Sequence, residues 1–121
     1  MKVYFAKSHY AVVRVVQNRA EAKKIIKEYG KMQACCEFNH RTKSRRKATL
    51  IFIKKWLTPA IVVHECVHAA ANWVCEYEMK HAPKNASDDH LRDHYEEALA
   101  RVVESLCEQV WEKLGLTTKE F

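Results

Sequence analysis

The sequence predicts a single α+β domain, and three observations lead to that class. Short runs of β-branched and aromatic residues crowd the first half, two long stretches of helical periodicity fill the second, and 121 residues suffice for one moderate core. The expected architecture is a small twisted sheet packed on the two late helices, with residues 1–121 as one unit.

Val3 to Phe5 and Tyr10 to Val16 are rich in valine and aromatic side chains, which suits one or two short strands. Asn18 then opens a helix. Glu21 stands three residues on, as in a capping box, and Ala20, Ile25, Ile26 and Tyr29 supply a partly apolar stripe before Gly30 ends it. Gln33 to Phe38 reads as a second strand region and Thr49 to Ile53 (TLIFI) as a third. Between them Asn39 to Lys47 (NHRTKSRRK) has no apolar residue and predicts a solvated loop.

Thr58-Pro59 marks a helix start, because the hydroxyl can cap it and proline's missing N–H costs nothing in the first turn. The helix is expected to run to about His81, since Pro83 biases Ala82 away from helical dihedrals. Ala60 to Ala71 is apolar on nearly every side except at His64, Glu65 and His68, a pattern that predicts burial all round. After the linker Ala82 to Ala86, Ser87 with Asp88 and Asp89 gives a cap and first-turn acids. Leu91, Tyr95, Ala98, Leu99, Val102, Val103, Leu106 and Val110 follow at helical spacing, and Gly115 ends the run.

Charge is unevenly spread. Met1 to Leu57 holds 15 basic and 3 acidic residues, and Ser87 to Phe121 holds 4 basic and 9 acidic ones, so the halves attract each other or the basic half meets an anionic partner. The five cysteines include no C-x-x-C pair, and Cys66, Cys75 and Cys107 lie in apolar helical stretches, as buried free thiols do. The adjacent Cys35 and Cys36 would point to opposite faces of a strand and make a poor joint ligand. With no signal-like start and no membrane-length apolar run, the expectation is a soluble, cytoplasmic protein that does not enter the membrane.

His64-Glu65-Cys66-Val67-His68 matches H-E-x-x-H. At i and i+4 both imidazoles leave the same side of a helix, close enough to grip one ion, and nitrogen donors favour zinc over magnesium or calcium. Glu65 follows the first ligand by one position, so it can reach a water on the metal and act as general base toward a carbonyl. Burying a carboxylate and two imidazoles among Ile, Val, Ala and Cys would cost several kcal/mol, which a metal would offset. A third ligand must come from elsewhere. The extended metzincin pattern would need Gly and His where the chain has Ala71 and Val74, which excludes that subclass.

The motif resembles the gluzincins, thermolysin-like zincins in which H-E-x-x-H is followed on a later helix by a ligating glutamate. Glu97-Ala98-Leu99-Ala100 looks like that later segment, and the resemblance is closest to the very small single-domain zincins of bacteria and phages. It spans roughly Leu57 to Tyr77 and Tyr95 to Leu106. It implies a zincin-like fold with an active-site helix and a C-terminal ligand-bearing helix, a zinc ion on His64, His68 and Glu97, and Glu65 as the catalytic base of a peptidase acting on a peptide or protein substrate. Periodicity disagrees on the third ligand, placing Glu96 nearer the apolar stripe than Glu97. His81, His90 and His94 remain further alternatives, the last three in the manner of SprT-type zincins.

Where the thermolysin-like pattern has an aspartate four positions after the ligating glutamate, this chain has Arg101, so the support of the zinc histidines must differ, with Asn72 as a candidate. Tyr10, Tyr77, His90 and His94 are chemically able to stabilise an oxyanion. The resemblance also implies that a peptide lies antiparallel along Thr49 to Ile53. A separate alternative is a nucleic-acid-associated protein or an interaction module, with the loop Arg41 to Lys47 neutralising phosphates and the zinc site structural or directing proteolysis to bound proteins.

Overall fold

β-branched and aromatic residues form a four-stranded mixed sheet of order β1-β2-β4-β3, made of β1 (Lys2–Ala6), β2 (His9–Val16), β3 (Ala34–Phe38) and β4 (Lys47–Ile53). A computed structural model describes residues 1–6, 9–26, 34–38, 47–82 and 84–116. β1 and β2 form an antiparallel hairpin, β2 and β4 run parallel in the register Val13↔Leu50, and β3 joins β4 antiparallel in the register Cys36↔Leu50. Three α-helices complete the described chain: α1 (Arg19–Ile25), α2 (Pro59–Glu76) and α3 (Asp88–Leu114).

β4 is the centre of the fold because its apolar residues alternate without interruption. Ala48, Leu50 and Phe52 face one side, where they pack with Val3, Ala11 and Val13 against α2 and α3. Ile51 and Ile53 face the other, with Val16, Ala22 and Ile26 from the α1 segment. The sheet is therefore covered on both faces, α1 on one and the two long helices on the other, which is why TLIFI carries no polar face. Arg19 lies over the Trp56 ring at 4.5 Å and ties the start of α1 to the short 3-10 turn Lys54–Trp56.

Caps behave as their side chains dictate. Asn18 Oδ1 accepts from Glu21 N at 2.9 Å while Glu21 Oε2 accepts from Gln17 N at 2.8 Å, so each side chain serves the other end of the first turn. Thr58 Oγ1 accepts from Ile61 N, and Ser87 Oγ accepts from His90 N. Gly115 closes α3 at φ 69°, and Leu116 N donates back to Trp111 O.

Several expectations change. α1 stops at Ile25 rather than Tyr29, since Ile26 turns extended (φ −122°, ψ 106°) and drops its side chain into the α1-side core. α2 ends at Glu76 rather than near His81; Tyr77 leaves helical dihedrals, and a separate 3-10 turn covers Glu78–His81. The Tyr77 ring stacks on Trp73 at 4.2 Å, in a cluster with Phe5 and His9 from the hairpin, and that cluster holds the chain where the helix breaks. Nor is α2 buried all round. Val62, Cys66, Ala69, Ala70, Trp73 and Val74 face the core, whereas Val67 is 39% exposed and His64, His68 and Cys75 are exposed. Cys66 and Cys107 are buried and Cys75 is exposed, with none of the three in a disulfide.

β4 also cannot receive an antiparallel peptide along Thr49 to Ile53, because β2 and β3 already occupy both of its hydrogen-bonding edges. The outer strands are β1 and β3. β1's outward edge is partly covered by α3: Gln109 Oε1 accepts from Tyr4 N at 2.7 Å, and Gln109 Nε2 donates to Tyr4 O at 2.9 Å. One side-chain amide thus stands where a neighbouring strand's peptide group would be. The loop residues Arg41, Lys43, Arg45 and Arg46 and the side chains of Cys35, Cys36, Lys47 and His81 lie outside the described residues. Among the described residues, no helix is long and apolar enough to cross a membrane.

Candidate metal centre

Helical spacing brings His64 and His68 together one turn apart near the start of α2, with their rings at 76° and Nε2 atoms 3.3 Å apart. Glu65 stands beside them. Its carboxylate lies 3.9 Å from His64 Nε2, beyond hydrogen-bond range, and its side chain is 7% exposed against 69% for that of His64. One donor atom from each of the three residues falls within 4.8 Å of the others, so the group could hold a metal ion.

The separation of the two nitrogens is a geometric test. A tetrahedral zinc ion with Zn–N bonds of 2.0–2.1 Å spans about 3.3–3.4 Å between adjacent ligand nitrogens. The imidazole pair meets that value. The same distance also suits one N–H···N hydrogen bond with Nε2 protonated on one ring only. Because both rings are exposed, an ion held there would face solvent.

The electrostatics differ from the expected picture of three buried polar groups. Only Glu65 is buried, and burial pushes its carboxyl above the usual carboxylate range while the His68 and His64 rings pull it back in part. The desolvation cost therefore falls on one carboxylate rather than on the imidazoles. A carboxylate with raised proton affinity is better suited to accept a proton than a fully solvated one.

The α3 candidates stand apart from this group. Glu97 is exposed and falls opposite the buried stripe of Ala98, Val102, Leu106 and Val110, as periodicity indicates, and Glu96 is exposed at the rim of a groove that includes Val63. Neither belongs to the set formed by His64, Glu65 and His68. His90 is exposed in the first turn of α3, and His94 is half-buried with Nε2 enclosed and unbonded. Tyr10 packs against Tyr4 and under Lys2, and Tyr77 is engaged with Trp73 and His9.

Asn72 is half-buried on α2 and makes no hydrogen bond to His68. Arg101 forms an ion pair with Glu78 at 3.5 Å, which fastens the 3-10 turn after α2 to α3. The sequence reading missed the groove between α2 and α3. Its signal was present as a second run at i, i+4 spacing on α3, through Leu99, Val103, Cys107 and Trp111, beside the buried stripe.

Comparison with protein-family models, with curated proteins and with solved structures gives no match.

Proposed function

We propose that this chain is a zinc-dependent hydrolase of the metallopeptidase type with a zincin-like arrangement, in which His64 and His68 hold the ion and Glu65 is the general base. The observation that carries the proposal is the 3.3 Å spacing of the two Nε2 atoms beside a buried carboxylate, within a sequence that resembles the gluzincin motif. Bound zinc lowers the pKa of an associated water toward 7 and polarises a carbonyl oxygen.

The residues of the chain divide the remaining work. The imidazoles donate from the exposed side of α2, leaving room for substrate. Glu65, raised in proton affinity by burial, takes the proton from the attacking water and returns it to the leaving amine. The resemblance assigns a third ligand to Glu97, which lies exposed and outside the His64–Glu65–His68 group and would reach the ion only through a shift of α3. An extended substrate would pair with the outer edge of β3, the strand against which α2 packs, instead of with β4.

Purified wild type, Glu65→Gln, His64→Ala, His68→Ala, Glu96→Ala and Glu97→Ala are to be compared for bound zinc and for hydrolysis of a quenched-fluorescent peptide library. Glu65→Gln should keep its zinc and lose about 10²–10⁴-fold in rate. Both histidine variants should lose the metal, and zinc loss in Glu97→Ala alone would identify the third ligand. A wild type free of zinc, or a Glu65→Gln variant of undiminished rate, rejects the mechanism.

A further inference from the structure

A groove of about 460 Å³ runs along α3 and is closed on one side by Val63 of α2. Its floor is apolar: Leu99, Val103, Cys107 and Trp111 succeed one another at about one residue per turn. From residue 96 to residue 111 the helix rises about 22 Å, the length of roughly four helical turns.

The rim has one sign of charge. Glu96, Glu104 and Glu108 line it, all three are exposed, and no Lys or Arg is among the lining residues. None of the three forms an ion pair with a described residue. Glu104 and Glu108 stand at i and i+4, where like charges on a helix repel, and Glu112 extends the series by another turn. An apolar floor between carboxylates that have no cationic partner among the described residues calls for an occupant with an apolar face and cationic flanks.

We propose that this groove is a docking site for a cationic amphipathic helix of a partner protein, which lays an apolar face on Leu99, Val103 and Trp111 and sets Lys or Arg against Glu104 and Glu108. The described part of a second copy offers no such helix. α1 is its one cationic α-helix, with Arg19, Lys23 and Lys24, but α1 has seven residues and its Ala22 is already buried in its own core. The proposal does not depend on the metal site.

The test uses the full chain and a fluorescein-labelled 18-residue peptide with leucine on one helical face and lysine on the other. Fluorescence anisotropy should show saturable binding that weakens with salt, and Glu104→Gln/Glu108→Gln should weaken it at least tenfold with unchanged circular dichroism. A scrambled peptide of the same composition should bind at least tenfold more weakly than the amphipathic one. Equal affinity of the double variant, or of the scrambled peptide, overturns the proposal. So does sedimentation showing a wild-type dimer that the double variant abolishes, since the groove would then be occupied by a second copy.

Discussion

Adding zinc to the metal-free protein should raise its melting temperature by an amount fixed by the occupancy of the His64–His68 pair. Ligand that binds only the folded state stabilises it by RT ln(1 + [L]/Kd), about 2.7 kcal/mol at a hundredfold excess over Kd. Unfolding 121 residues at about 2.1 cal/mol/K per residue carries about 0.25 kcal/mol/K of entropy, so that excess shifts the midpoint by about 10 °C. Each further tenfold in zinc adds about 1.4 kcal/mol, or about 5 °C. The nitrogens stand at the tetrahedral bite distance, so little of the binding energy goes into moving them.

The assay is thermal denaturation followed by circular dichroism across a ladder of zinc concentrations, begun in protein stripped with chelator. His68→Ala removes one ligand from an exposed position and leaves the core intact. If that change raises Kd a hundredfold, the same zinc supplies about 0.4 kcal/mol and less than about 2 °C. Val67→Ala, on the exposed face between the ligands, should retain the wild-type shift. A wild-type shift no larger than that of the His64→Ala/His68→Ala double variant would refute the assignment, because zinc would then be held elsewhere or not at all.

Two other predictions concern stability without metal. The Glu65 carboxyl is raised from an ordinary value near 4.5, so the folded state binds its proton more tightly than the unfolded state. Stability is then unaffected below that value, falls as pH rises through the window up to the raised value, and stays reduced above it. Glu65→Gln lacks the buried charge and should withstand more urea than wild type at neutral pH in chelator, with the gap closing in acid; equal midpoints at neutral pH would contradict the burial argument. Gln109→Ala removes two hydrogen bonds to Tyr4, worth about 0.5–1.5 kcal/mol each, and water can replace part of them at this exposed edge. Thermal denaturation should therefore show a loss of about 1–2 kcal/mol, or roughly 4–8 °C; a change under about 1 °C would show that solvent serves Tyr4 equally well.

The local grammar of the fold was legible in the residues. Asn18 with Glu21, Thr58 before Pro59, Ser87 and Gly115 mark helix ends because each supplies a hydrogen bond or a backbone angle that its neighbours cannot. The four strands fall within two residues of their expected places for the same local reason. Pairing was not legible. β4 lies parallel to β2 and between β2 and β3, an outcome decided by which faces can be covered on both sides at once, and nothing in TLIFI names its neighbours.

The end of α2 escaped for a similar reason, since the break at Tyr77 belongs to contacts with Trp73 and His9 rather than to a proline or glycine. At the candidate metal centre, i, i+4 spacing alone brings His64 to His68, and the structure adds that both rings are exposed while Glu65 is buried. For the third ligand, helical phase and motif resemblance disagreed. The exposed position of Glu97 follows from phase, because a helix buries whichever side its neighbours cover.

The amide of Gln109 has a consequence for the order in which the molecule is made. A bare outer strand invites a stranger's backbone, and here the group that discourages this sits more than a hundred residues later in the chain. Until α3 has left the ribosome and come to rest, Tyr4 offers its peptide group to any extended polypeptide nearby. Synthesis halted before residue 109 would yield fragments prone to stack through their first strand, and the same hazard returns whenever α3 lifts away.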